Sequence, residues 1–123
     1  MGDAVRLLAV DDQDYFRGVL REVIDRTDGF ELVGDVPSGE AALQAVEELS
    51  PQLVIIDKRM PGMGGLALCR ALTQSHPEIV LVITSVEEPP TTPFSGCNAT
   101  FIRKQHLSPR FLRELWGEQS AQA

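Results

Sequence analysis

The sequence predicts an α/β fold, a five-stranded parallel sheet with helices on both faces. Three observations predict it. Short apolar runs alternate along the chain with segments of helical periodicity, and parallel strands need such crossover helices between them. The runs are apolar almost throughout, as befits strands buried on both faces. The connecting stretches are short.

"RLLAV" (6–10) is the first strand and ends in Asp11-Asp12. "DYFRGVLREVIDR" then sets Phe16, Val19, Leu20, Val23 and Ile24 on one stripe of a helix. "FELVGDV" (30–36) is the second strand. Ser38 is placed to cap a helix that turns Ala42, Leu43, Val46 and Leu49 inward, until Ser50-Pro51 stops it. "LVII" (53–56) is the third strand and runs straight into Asp57. Gly64-Gly65 leads into a third helix with Leu66, Cys69 and Leu72 inward, ending before His76-Pro77. "IVLVITS" (79–85), rich in β-branched residues, is the fourth strand, and "TFIRK" (100–104) the fifth. Ser108-Pro109 opens a last helix through Trp116, with Gly117 closing it.

Between the fourth and fifth strands lies "VEEPPTTPFSGCNA" (86–99), with Pro89, Pro90 and Pro93 followed by Gly96. A proline inside a helix costs ~3 kcal/mol, because it removes a hydrogen bond and clashes with the preceding turn. The crossover helix expected here is therefore missing or shortened to one turn, with Thr92 as N-cap and Pro93 at its first position.

At 123 residues, 43% of them hydrophobic, the chain is one domain able to bury a core. Residues 1–117 form that domain, and 118–123 a tail or the start of a linker. Eighteen acidic residues against eleven Lys and Arg leave a net charge of −7, which argues against direct DNA binding by this chain, since that needs a basic face. Cys69 and Cys97 match neither zinc spacing nor a redox CxxC motif, and are expected as free, partly buried thiols of a reducing cytosol. His76 and His106 stand alone and are expected on loops or the surface. No apolar run reaches membrane-spanning length, and no targeting segment precedes "MGDAVRLLAV", so a cytoplasmic protein without membrane contact is expected.

In open parallel sheets, ligands sit beyond the carboxyl ends of the strands. That rim collects Asp11 and Asp12, Asp57, Thr84 and Ser85, and Lys104. Singly, each has a plainer reading: a helix cap, a turn residue, a solvated lysine. Their joint placement does not. Three carboxylates about 5 Å apart would repel by roughly 3 kcal/mol per pair at an effective dielectric near 20. A bound cation relieves that cost, and oxygen ligands without His or Cys select a hard ion, Mg²⁺ above all.

With Asp11-Asp12, Asp57 followed by "MPGMGG", Thr84-Ser85 and Lys104 in this order, the chain resembles the receiver domain of a bacterial two-component response regulator. "FELVGDVPSGEAAL" is especially similar to receivers joined to a LuxR-type helix-turn-helix. The resemblance runs from about residue 5 to residue 117. It implies a flavodoxin-like, doubly wound sheet of order 2-1-3-4-5 and phosphotransfer from a partner histidine kinase to Asp57. It also implies Mg²⁺ held by Asp12, Asp57 and the Arg59 carbonyl, with Asp11 acting through water, and catalytic roles for Lys104 and Thr84. The chain would turn over no free substrate, reacting only on its own Asp57. Output would follow when Thr84 moves toward the phosphoryl group and Phe101 fills the space left; a plain core aromatic is the alternative for Phe101. A homodimer, effector domain or output protein would receive the signal.

Four features depart from the family's pattern. Gln105 follows Lys104 where a proline is usual, which predicts a looser loop. Lys58 and Arg59 place two long cations beside Ser85 at the site mouth. The segment 86–99 lacks a helix pattern. This last feature keeps open a second reading, a receiver-like interaction module that acts without phosphorylation, whereas the intact acid set favours the switch. The absence of a Gly-rich phosphate loop argues against a phosphatase or a flavin carrier.

Overall fold

The computed structural model describes residues 3–92 and 94–121. Five strands, β1 (Val5–Val10), β2 (Phe30–Val36), β3 (Leu53–Asp57), β4 (Val80–Ser85) and β5 (Thr100–Arg103), form one parallel sheet of order β2-β1-β3-β4-β5. Helices α1 (Asp14–Asp25), α2 (Gly39–Leu49), α3 (Gly65–Ser75) and α4 (Pro109–Ala121) cover it, with a 3₁₀ turn, η1 (Lys104–His106), after β5. This is the flavodoxin-like arrangement expected from the sequence.

Successive strand residues point to opposite faces, so each apolar run feeds two cores. Leu8, Val10, Val54, Ile56, Leu81 and Ile83 face α2 and α3, where Ala42, Val46, Leu68 and Leu72 meet them. Leu7, Ala9, Leu53, Ile55 and Val82 face α1 and α4, against Phe16, Leu20, Ile24, Leu112 and Leu115. A strand with both faces buried has no polar position to spare.

The end signals act locally as expected. Ser38 Oγ accepts the Ala41 N–H at 3.1 Å and caps α2, and Ser108 Oγ accepts that of Phe111 at 3.1 Å. Neither Asp11 nor Asp12 is the N-cap of α1; that position is Gln13. Leu49 is 37% exposed rather than inward, because it ends α2 with only its tip over Gly34 of β2. Leu68, not singled out in the sequence, is fully buried on α3. Gly117 does not close the last helix, which continues to Ala121. In mid-helix, glycine weakens the structure without breaking it. The residues after Lys104 are not a loose loop, since Lys104, Gln105 and His106 close η1 with the Leu107 N–H on Lys104 O at 3.3 Å.

No helix joins β4 to β5 among the described residues. Thr92 caps nothing there, and the expected role of Pro93 lies outside the described residues. Instead, Phe94, Cys97 and Ala99 pack onto the α3 side of the core, beside Phe101. The expectation of free thiols is overturned: Cys69 and Cys97 form a disulfide, with a Cα–Cα separation of 5.5 Å. Without its own helix the connection drops onto α3, and this brings Cys97 over the buried Cys69. His76 follows α3 as its C-cap, with Nε2 2.8 Å from Glu47 Oε2.

Candidate functional site

Parallel strands deliver their carboxyl ends to one edge, and the register makes the delivery specific. Asp57, the last residue of β3, is paired with Thr84 of β4. The turn after β3 is fixed by a close approach. The Gly65 N–H donates to Lys58 O at 3.0 Å, and a Cβ on Gly65 would overlap the carbonyl oxygen of Asp57. Only glycine lets α3 start this close to the acid. Gly62, in the same turn, has φ +73°, a conformation that disfavours any side chain.

Asp57 is 6% exposed, and Asp11, after β1, is almost fully buried. Asp12 beside it is exposed. One carboxylate oxygen from each of Asp11, Asp12 and Asp57 lies within 4.8 Å of the others. Lys104 Nζ reaches in from the end of β5, 2.9 Å from Asp11 Oδ2 and 3.6 Å from Asp57 Oδ1. It also stands 3.4 Å from Gln13 Oε1 and 4.4 Å from the centre of the Phe16 ring.

The cluster is under-compensated. Burial first, and the charge of Asp11 second, push the Asp57 carboxyl up to about 6; Lys104 and a hydrogen bond from the Arg59 backbone pull it down, and Asp12 adds a small upward push. Asp11 Oδ1 accepts the Gln13 N–H at 2.8 Å. Its Oδ2, buried, has the Lys104 charge nearby but no aligned hydrogen bond. A buried carboxylate oxygen lacking a hydrogen bond, beside two more carboxylates, suits a hard cation. The donor set therefore fits Mg²⁺.

A cleft of about 210 Å³ opens over the cluster, lined by Asp12, Gln13, Asp57, Arg59, Ser85, Val86 and Lys104. A larger hollow of about 580 Å³ lies elsewhere, along Arg6, Pro51, His76 and Trp116, and includes none of the clustered acids. Arg59 and Ser85 line the mouth as expected. Lys58 does not: its Nζ turns to the Phe94 ring, 5.5 Å from the centroid, and stands 3.8 Å from Glu87 Oε1. The Arg59 side chain is bound to Glu87 as well.

The Thr84 hydroxyl donates to Ile56 O at 3.4 Å, so it is engaged by the sheet rather than by Asp57. Phe101 is half-buried, 5.4 Å from Phe94 between ring centres. Sequence reasoning missed Gln13, Phe16 and Phe94. Gln13 could have been suspected from its place directly after the acids; nothing local marks Phe16 as a lysine's neighbour.

A family model described as a response regulator receiver domain matches residues 7–100, more than half of the chain. The response regulator GacA of Pseudomonas viridiflava is 42% identical over 87 residues, covering 70% of this chain and 41% of that protein. This chain thus corresponds to less than half the length of the curated relatives it matches there. Among solved structures, the receiver domain of the putative response regulator NarL from Mycobacterium tuberculosis superposes with a TM-score of 0.85 at 21% identity, covering 97% of this chain and 98% of that one. A LuxR-family DNA-binding response regulator from Staphylococcus aureus superposes at 0.77 with 27% identity, covering 94% and 98%.

Proposed function

This chain belongs to the response regulator receiver family of two-component signalling, and from that premise we propose that it is a phosphoryl-accepting switch with Asp57 as acceptor. The observation that carries the proposal is the setting of Asp57: at the end of β3, under an open cleft, between Asp11 and Lys104. A carboxylate is a competent nucleophile for phosphoryl transfer. Asp57 Oδ would form a bond to the phosphorus as the bond to the histidine nitrogen of a kinase breaks, and the electron pair leaves with the imidazole. Negative charge spreads over the transferred oxygens, so positioning and counter-charge do most of the catalysis.

Lys104 supplies one fixed positive charge. Asp11, Asp12, Asp57 and the Arg59 carbonyl would hold Mg²⁺, which contributes the second counter-charge when bound. The Thr84 hydroxyl, now on Ile56 O, belongs to the residue paired with Asp57 in the sheet and would turn to a phosphoryl oxygen. Ser85, small and at the mouth, leaves room for that group. Movement of Thr84 would free space for Phe101, which has no hydroxyl and reports the change by packing alone. The receiver unit is taken as residues 1–117, with 118–123 leading toward an effector domain or output partner.

Incubation with acetyl phosphate, with and without Mg²⁺, followed by intact mass measurement, tests this reading. A single phosphoryl adduct that needs Mg²⁺ and disappears in Asp57→Asn supports it; an adduct that survives either change overturns it. The absence of a helix between β4 and β5 among the described residues favours the second reading, a docking module indifferent to phosphate. That reading requires partner binding of equal strength before and after acetyl phosphate treatment.

A further inference from the structure

We propose that Cys69 and Cys97 are a redox modification site whose state sets how residues 94–98 are held on α3, and through Phe94 the surroundings of Asp57. The consequence for signalling rests on the function proposed above; the redox site itself does not. Cys69 lies mid-helix on the sheet-facing side of α3, and Cys97 lies three residues before β5. The segment's hydrogen bonds to side chains run to the same part of α3. Arg70 Nε donates to Ser95 O at 2.9 Å, and the Asn98 N–H donates to Thr73 Oγ1 at 3.1 Å. Within residues 94–98 the backbone makes one hydrogen bond to itself, Cys97 N–H to Phe94 O at 3.2 Å. Two hydrogen bonds at exposed positions are modest restraints beside a covalent bond.

Phe94 makes the connection consequential. Its ring meets Phe101, and it lies beneath Lys58 Nζ. Lys58 directly follows Asp57, and its N–H donates to Thr84 O at 2.8 Å. Releasing Cys97, three residues from Phe94, thus loosens a ring that meets Lys58, the residue after the acceptor, and Phe101 of β5.

The chemistry balances with a thiol reductant. A reductant thiolate attacks Cys97 Sγ, the more accessible sulfur, since Cys97 is 6% exposed and Cys69 fully buried. The sulfur–sulfur bond breaks and Cys69 leaves as a thiolate, which takes a proton. A second reductant thiol resolves the mixed disulfide, so the chain gains two electrons and two protons while the reductant becomes a disulfide. A low-molecular-weight disulfide such as oxidised glutathione runs the exchange backward. In a reducing compartment, a bonded pair of this kind is usually transient and sensing. Two reduced thiols still pack as small apolar groups, so the fold survives reduction.

The test treats the 123-residue chain with oxidised glutathione or with dithiothreitol. Alkylation with iodoacetamide under denaturing conditions should add nothing to the oxidised chain and two adducts to the reduced one. Hydrogen exchange across residues 94–98 should speed up by roughly tenfold on reduction, while β1 and β3 stay protected. The amide resonances of Lys58 and Arg59 should move as well, with no phosphate present. Cys97→Ser should match the reduced chain and ignore dithiothreitol. Two adducts after oxidation, or unchanged exchange and amide resonances on reduction, overturn the proposal. A chain that takes no phosphate but passes these tests defeats only the proposed function.

Discussion

Arg59 and Glu87 meet across the mouth of the cleft, Arg59 donating from Nε at 3.0 Å and from Nη2 at 2.6 Å to the same oxygen, Glu87 Oε1. The hydrogen bond and charge of Arg59 hold the Glu87 carboxyl below its ordinary range, with Lys58 adding less. The pair ties the turn after β3 to the residues after β4, beside the cleft that Arg59 and Asp57 line.

An exposed pair of this kind contributes little to stability, so its influence should be kinetic. Arg59→Ala is expected to change the phosphorylation or dephosphorylation rate with acetyl phosphate while leaving the melting temperature within experimental error. Equal rates in the two proteins would make Arg59 a bystander.

Asp57 should make the chain less stable as pH rises. Its folded carboxyl titrates near 6 against an ordinary 3.8, so between those values the folded state holds more proton than the unfolded one. Stability from this group is therefore greatest below about pH 4, falls through that window, and is lowest above it, by roughly 3 kcal/mol at most. Urea unfolding in EDTA from pH 4 to 7 should show the slope. Asp57→Asn should flatten it and raise stability at pH 7. A wild-type profile identical to that of the variant would refute the assignment.

Asp12 is exposed and caps no helix, so its cost to the fold is charge repulsion alone. Asp12→Asn should weaken Mg²⁺ binding at least about tenfold and leave the melting temperature in EDTA unchanged or higher. A loss of roughly 1 kcal/mol, as for a removed cap, would instead assign it a structural role.

Gly65→Ala should be among the costly small substitutions. The new methyl meets the Asp57 carbonyl and the Lys58 Cα, which are backbone and cannot swing aside. A destabilisation of about 1–3 kcal/mol or more is expected, with slower phosphorylation because the acceptor's turn must shift. Gly117→Ala, with nothing near its Cβ position and mid-helix in α4, should stabilise slightly. The two outcomes together separate a packing requirement from glycine's general flexibility.

The sequence by itself determined the order of the elements, the parallel sheet and the rim that gathers Asp11, Asp12, Asp57, Thr84 and Lys104. Each of these is a local signal joined to one general rule: apolar runs mark strands, prolines and serines mark ends, and parallel strands finish at the same edge. The same local reasoning removed the helix between β4 and β5. What it left open were choices among distant partners. Cys69 and Cys97 are 28 residues apart, and their bond depends on where a helix-free connection settles, which periodicity does not encode. Arg59 and Glu87 are also 28 residues apart, and the path of the chain after β4 made them partners. Lys58 turned from the site mouth because Phe94 arrived beside it, and Leu49 stayed exposed because α2 ends at the sheet's edge. Local propensity follows from a residue and its near neighbours; pairing across the fold follows from the packed path of the whole chain, which only the tertiary structure decided.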